Sequence, residues 1–346
     1  MPDAGGQANE TGFTVAITGP TGDIGRSLLR ELDKAPEVKH VIGMARRPFD
    51  PAELGLEKTE YRQGDILEPD SIAELVDGAD VLVHLAFIIL GGRDETHRIN
   101  LEGTRNVFEA AVSQGVKRFV YTSSVAAYGF HDDNPQPLTE EVPPKGTDDF
   151  YYSAQKAELE RELHKLVDGS GVEAYVFRPC IVAGADALTL VEAMVEQLQL
   201  GGRLPQIPRF LDSMPFLKPV LPDPGNPFQL VHHDDVAQAL AAAITGRGEP
   251  GIYNLAGEGE IRVGDMASAL GWYSVPIPGL AVDLTAGLIA RIPFAPAELS
   301  WINALRVPVL MDTAKARREL CWRPKHDALQ TLRETVTAAR LDPLIR

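Results

Sequence analysis

Phe13-Thr14-Val15-Ala16-Ile17-Thr18-Gly19-Pro20-Thr21-Gly22-Asp23-Ile24-Gly25 is the stretch on which the fold turns. Its first six residues are β-branched, aromatic or small, and they predict a strand. Apolar spacing from Ile24 to Leu32 predicts a helix. Glycines between the two let the backbone turn sharply and approach a pyrophosphate closely. The helix that follows offers free N–H groups and a positive dipole end to an anion. A Gly-rich turn with the correct strand and helix on either side predicts a dinucleotide site. Gly19, Thr21, Gly22, Asp23, Ile24 and Gly25 are its candidate phosphate-binding residues.

The alternation continues outward from there. Strands are expected at Val38–Ala45, Thr59–Gln63, Val81–Ala86, Phe119–Thr122 and Ala174–Phe177. Helices are expected at Ser71–Val76, Asn100–Gln114 and Tyr152–Val167. Apolar strands separated by helices describe an α/β fold, a Rossmann-type doubly wound parallel sheet covered on both faces. The pattern breaks after Arg178-Pro179, and residues 204–227 form a proline-rich stretch without a period. A strand at Phe228–Val231, a helix at Asp235–Thr245 and a strand at Gly251–Leu255 follow. The remaining tail reads as mostly helical, with Leu280–Ile292 and Ala314–Leu320 its clearest pieces.

The chain has 346 residues, 44% of them hydrophobic, which is ample for a large core. Its net charge of -16 repels nucleic acid and anionic membrane surfaces, so neither is expected as a partner. Cys180 and Cys321 show no CxxC spacing, so neither a disulfide framework nor a zinc ribbon is indicated. Residues 1–11 are polar and lack the basic start and apolar run of a signal peptide. The longest apolar candidate, Gly279–Phe294, is interrupted by Asp283 and Arg291. A cytoplasmic location is the expectation.

Chemistry enters at the strand ends. An acidic residue usually marks 2′-hydroxyl recognition after the second strand. This chain carries Arg46-Arg47, whose guanidinium forks suit a 2′-phosphate, so NADP is favoured as cofactor with NAD the alternative. Solvated surface arginines are the plain reading of the same pair. Tyr152 and Lys156 stand one helical turn apart on one face. An ammonium near a phenol lowers its pKa from about 10 and suits it to general acid–base work. Ser124, after the expected strand ending at Thr122, would hydrogen-bond a substrate oxygen as charge develops on it. The competing Tyr151 would pair with Gln155, which carries no charge. His232-His233-Asp234-Asp235 reads as a strand end and an Asp helix cap, because alternate strand residues face opposite ways. No metal is expected.

The TGxxGxxG turn, the Thr122-Ser123-Ser124 strand end and the YxxxK helix, in that order, resemble the extended short-chain dehydrogenase/reductase (NAD-dependent epimerase/dehydratase) family. The resemblance implies that Asp65 and Ile66 meet the adenine. It implies that Leu85, Ala86 and Phe87 pass the cofactor, with Asn100 of the segment Asn100–Asn106 supporting them. Thr122, Ser123, Tyr152, Lys156, Pro179, Ile181 and Val182 complete the implied cofactor set. Phe87, Ser124, Val125, Cys180, Phe210 and Phe216 are the candidate substrate residues. Three positions depart from the family: Phe87 replaces a small residue, Ala183 a tyrosine and Cys321 a glycine. The resemblance also implies a division into a cofactor domain (12–182 plus 228–256), a smaller substrate region (183–227 plus 257–346) and a flexible N-terminus (1–11). A homodimer through the helices near 100–114 and 152–167 is implied as well.

Three functions compete. The first is an NAD(P)-dependent oxidoreductase reducing a carbonyl, or oxidising an alcohol, of a fairly apolar small molecule. Apolar residues at Phe210, Met214, Phe216, Leu217, Val220 and Phe228 favour it. The second is a nucleotide-sugar epimerase, for which Arg203 and Arg209 are the available diphosphate partners. Dehydratase chemistry is disfavoured, since Ser124-Val125-Ala126 lacks that branch's acid pair. The third is a non-catalytic NADP-binding regulator, which has no need of the Ser124/Tyr152/Lys156 set.

Overall fold

The computed structural model describes residues 12–89, 96–148, 150–187, 190, 220–277 and 307–341. Phe13–Thr18 is strand β1, and helix α1 follows over Gly25–Lys34. β2 (Val38–Ala45), β3 (Thr59–Gln63), α2 (Pro69–Val76) and β4 (Val81–His84) continue the alternation. A π-helical turn at Arg98–Gly103 runs into α3 (Thr104–Ser113). Then come β5 (Arg118–Thr122), α4 (Tyr151–Val167) and β6 (Glu173–Pro179). The second half holds β7 (Ile181–Ala183), β8 (Val220–Asp223), β9 (Leu230–His232), α5 (His233–Ile244) and β10 (Gly251–Leu255). It ends in α6 (Val263–Leu270), β11 (Tyr273–Pro276), α7 (Ala314–Glu319) and α8 (Ala328–Leu341).

Seven strands form one parallel sheet in the order β10-β6-β5-β4-β1-β2-β3. Its inner strands are apolar on both sides because helices cover both faces, whereas the edge strand β3 (Thr59-Glu60-Tyr61-Arg62-Gln63) is polar and unburied. Val15, Ile17, Val83 and Val120 point into one core with Leu28, Leu32 and Leu240. Ala16, Leu82, Phe119 and Tyr121 point into the other with Ile72, Phe108 and Leu159. Chain order reverses at β1, which lies between β2 and β4. A crevice opens above the carboxyl ends of strands at such a reversal, and ligands of open α/β sheets bind there.

The second half differs from its reading in the sequence. Among the described residues of this half, only β10 returns to the large sheet. β9 begins at Leu230 and pairs with β7 in a separate two-stranded ladder. The tail is not uniformly helical, since Tyr273–Pro276 pairs with β8. Alternation gave no warning, because all four β11 residues are exposed and carry no core-facing stripe. The expected helix at Leu280–Ile292 lies outside the described residues. α6 and α8 pack with β9 around Leu230, Leu270, Leu332 and Val336. Among the described residues no helix is long and apolar enough to cross a membrane.

Asp235, fully buried in the first turn of α5, ties this region together. Its carboxylate accepts the backbone N–H groups of Lys325 and His326, and its carbonyl accepts the Trp322 indole. Next to that indole, Cys321 holds a left-handed backbone with φ 56°. A β-carbon there is strained by about 1–2 kcal/mol. Cys321→Gly should therefore stabilise the protein by roughly 0.5–1 kcal/mol, the strain relief exceeding glycine's larger entropy loss. Urea denaturation at equilibrium would show this as a higher midpoint at unchanged slope.

Candidate active site

The Gly-rich turn joins β1 to α1 at the mouth of the crevice, and its glycines serve different ends. Gly19 has φ +74°, and a β-carbon on it would meet Ala86 N at 2.7 Å. A β-carbon on Gly25 would meet the Gly19 carbonyl at 2.5 Å. These two are demanded by the protein's own packing. Gly22 is not, since its nearest contact would be an ordinary 3.6 Å. The first turn of α1 holds no acid and its N-cap, Ile24, makes no side-chain cap bond. An uncrowded glycine before a helix start free of acids fits a pyrophosphate. Thr122 Oγ1 is buried with no hydrogen-bond partner, a second polar position that a bound group can satisfy.

Four side chains hold the strand ends beneath. His84 at the end of β4 bonds Thr18 Oγ1 at 2.6 Å and Thr104 Oγ1 at 3.0 Å. It is 1% exposed, and burial together with the Lys156 charge lowers its pKa to about 3. Asn100 is wholly buried. Its amide clasps both backbone groups of Ile88 and donates to Gln155. Asn100 thus anchors the segment that carries Leu85, Ala86 and Phe87, and is itself shut off from a ligand. Asn106 donates to the Ile66 carbonyl, and Gly103 leaves the space that the Ile66 side chain fills. Asp65 accepts the Leu67 N–H at 3.0 Å, closing the turn after β3.

Ser124, Tyr152 and Lys156 come together, each less than 9% exposed. Ser124 Oγ accepts the Ala126 N–H at 3.1 Å and opens the turn that begins at Val125. Lys156 donates to the Thr122 carbonyl at 2.9 Å and to the Tyr121 hydroxyl at 3.4 Å. Its ammonium lies 3.6 Å from the centre of the Phe87 ring. Burial pulls its pKa down to about 7, and Glu160 opposes that pull. The Tyr152 phenol contradicts its expected shift. Burial pushes it up to about 12, only partly countered by a hydrogen bond with Ser124. Spacing places Lys156 on the right face, but the ammonium stands 5.9 Å from the Tyr152 ring centre and bonds elsewhere. Burial thus favours the protonated phenol of Tyr152. Tyr151 instead reaches the Ile89 carbonyl at 3.0 Å.

Tyr152 sits in an aromatic enclosure. Phe87 stands edge-on at 5.6 Å and Phe150 is tilted at 5.8 Å. Ala126 joins them, with Ile89 and Phe130 partly buried alongside. Cys180 is 6% exposed, and burial pushes its thiol up, so it is an inert core residue. Pro179 ends β6, and half-buried Ile181 and Val182 continue into β7. Phe210, Phe216, Met214, Leu217, Arg203 and Arg209 lie outside the described residues. Arg46 and Arg47 are exposed just past β2. Their backbone is fixed from β3, where Gln63 donates to the Arg46 carbonyl and Tyr61 to those of Ala45 and Arg47.

One group escaped the sequence reading. Arg178 is fully buried and forks onto the Glu160 carboxylate, with Nη2 to Oε2 at 2.5 Å. Ser123 donates to the same carboxylate at 2.5 Å. The signal was present, because Glu160 extends the Tyr152–Lys156 spacing by another four residues along the inner face.

The histidine cluster needs two corrections. His232, not an aspartate, caps α5 by accepting the Asp234 N–H. The chain turns helical at His233, so strand alternation fails, and His232, His233 and Asp234 do converge, as do His232, His326 and Glu334. His232 nevertheless uses its other nitrogen on Glu334 and stacks on His326 at 3.8 Å, 21° from parallel.

The profile of the NAD dependent epimerase/dehydratase family matches residues 15–256. This chain belongs to that family. A family relative, the uncharacterized protein y4nG of Sinorhizobium fredii, is 27% identical over 93% of this chain and 77% of its own length. Sterol demethylase protein B of Methylococcus capsulatus is 33% identical over 50% of this chain and 52% of its own length. The chain thus spans about half of that relative. The structure of UDP-glucuronic acid 4-epimerase from Bacillus cereus in complex with NAD superposes with a TM-score of 0.70. It covers 96% of this chain and 100% of that one at 18% identity, a likeness of fold.

Two outcomes follow from the geometry. Gly22→Ala should leave thermal stability nearly unchanged yet weaken NADPH or NADH binding, whereas Gly25→Ala should cost about 2 kcal/mol or more of stability. Fluorescence titration beside thermal melts separates the two. Stability should also fall as pH drops from 6.5 towards about 3, since unfolded His84 takes up a proton at 6.5 and folded His84 only near 3. The unfolded chain binds more protons throughout that window, so acid favours it. Urea midpoints across the window should fall less steeply for His84→Gln.

Proposed function

We propose that the chain is an NAD(P)-dependent oxidoreductase, reducing a carbonyl or oxidising an alcohol of a fairly apolar small molecule. The observation that carries this reading is the buried Tyr152, hydrogen-bonded to Ser124, inside walls made by Phe87, Phe150 and Ala126. Apolar walls with two convergent hydroxyls suit a lipophilic carbonyl compound.

The turn from Gly19 to Gly25 would hold the cofactor's pyrophosphate, with Asp65 and Ile66 near the adenine. Arg46 and Arg47 would take a 2′-phosphate, which favours NADP over NAD. When bound, the nicotinamide supplies or accepts a hydride at the substrate carbon. Ser124 orients the substrate oxygen and steadies the charge that gathers there. Tyr152 would give that oxygen its proton in the reduction and accept the hydroxyl proton in the oxidation, and Lys156 would hold the nicotinamide ribose. The aromatic side chains keep water away from the transfer. We propose that residues 183–227 and 257–346 bind the rest of the substrate. Action in the cytoplasm as a homodimer, through the faces of α3 and α4, completes the proposal.

A nucleotide-sugar epimerase is the second reading, favoured by the fold shared with the Bacillus cereus enzyme. Against it, Gln229 spends its amide on the backbone of Met311, and offers no charge to a diphosphate. A non-catalytic NADP sensor is the third, and the buried Tyr152–Ser124 pair speaks against it.

Nicotinamide absorbance followed with NADPH and NADH, against lipophilic ketones and nucleotide-activated sugars, separates these readings. Ketone-dependent oxidation of NADPH, faster than of NADH, supports the proposal. A rearranged sugar without net oxidation supports the epimerase, and binding without turnover the sensor. Tyr152→Phe should lower turnover by roughly 10²–10⁴-fold with cofactor affinity nearly intact. Undiminished turnover would remove Tyr152 from its assigned role.

A further inference from the structure

Tyr152, Lys156 and Glu160 follow one another at four-residue steps along α4, so they share one face. All three are buried, with Lys156 2% and Glu160 5% exposed. Lys156 spends its hydrogen bonds on the neutral Thr122 carbonyl and Tyr121 hydroxyl. Around its ammonium stand His84 from β4, Tyr121 from β5, and Tyr152 and Glu160 from α4, with Arg178 of β6 behind Glu160. His84 is neutral and both phenols are protonated near pH 7. The Glu160 carboxylate is therefore the negative charge of this group. Bonds from Arg178 Nε and Nη2 and from Ser123 Oγ hold it in place. Ser123 is the residue before Ser124.

We infer that Glu160 is a positioning residue for the reaction: its carboxylate favours the charged form of Lys156 and pins the strand end that carries Ser124. The inference rests on the oxidoreductase reading above. A carboxylate one turn away stabilises the ammonium against the burial that would neutralise it. Without it, burial acts unopposed and shifts Lys156 further toward the neutral amine. That form contributes no charge toward Tyr152 and no cationic donor toward a ribose. A purely structural Glu160, present only to neutralise Arg178, would leave the titration of Lys156 where it is.

The test is a direct titration of Lys156 by NMR on the full chain carrying ¹³C-labelled lysine, its signal assigned by loss in Lys156→Arg. The wild-type midpoint is expected near 7. In Glu160→Gln it should move down by about one pH unit. Glu160→Asp keeps the charge and should stay near the wild type. Because Glu160→Gln strands the Arg178 charge, the double variant Glu160→Gln/Arg178→Met supplies a neutral pair that folds, and its midpoint should also move down. An unmoved midpoint in the folded variants overturns the inference, as does an equal shift in Glu160→Asp. NADPH oxidation with the best ketone should lose its alkaline limb at a correspondingly lower pH. A moved midpoint beside an unmoved limb overturns the catalytic part. Absence of ketone turnover in the wild type refutes the function proposed above, and the NMR midpoint still judges whether Glu160 charges Lys156.

Discussion

Arg178 has no exposed surface and Glu160 almost none, so each charge is tolerated inside the protein because the other faces it. Removing one partner of such a buried pair costs about 3–5 kcal/mol, since the survivor stays uncompensated. The pair does more than cancel charge. It joins the middle of α4 to β6, and through Ser123 it reaches the end of β5. Arg178 also donates to the Val142 carbonyl and lies 4.3 Å from the Tyr128 ring centre. The helix bearing Tyr152 and Lys156 is thereby locked in register against the strand whose end bears Ser124. Tyr152 and Ser124 belong to different elements, and this ionic joint helps set their separation.

A second constraint comes from the reversal of strand order at β1. It brings the carboxyl ends of β1 and β4 side by side, and His84 bridges them by bonding Thr18 on one and Thr104 beyond the other. Gly19 then packs directly against Ala86. The Gly-rich turn and the segment after β4 are thus built on one small buried network. Asn100 extends it by holding Ile88, and with it the approach of Phe87 to Lys156. Side chains that never meet a ligand fix the position of those that would.

The first half of the fold was legible because its inner strands face two cores and so read as apolar runs, while the polar edge strand β3 shows in its β-branched and aromatic residues Thr59 and Tyr61. β1, β2 and β3 have the bounds that their sequences predict. The placement of Tyr152 and Lys156 on one face was equally legible, because helical spacing dictates it. The sign of the Tyr152 shift was not, since spacing reveals neither how deeply a phenol is buried nor what its neighbour's ammonium prefers. Arg178 and Glu160 lie 18 residues apart on different elements, and only the fold introduces them. His232 and His326 are likewise neighbours through tertiary packing alone. β11 was missed because an exposed strand has no buried stripe to betray it.

The seventh strand of the sheet has a consequence for how the molecule is made. β10 is laid against β6 in parallel, yet the chain travels from Pro179 to Gly251 before it can pair. A ribosome finishes β6 long before β10 exists. Through that interval β6 presents open backbone N–H and C=O groups, with Tyr175 and Phe177 lacking the Tyr253 ring that later stacks on both. Such an edge invites pairing with another chain. Until β10 is made the sheet is one strand short, and the closing of that edge is a contact of high sequence separation, of the kind that slows folding and lengthens exposure to aggregation.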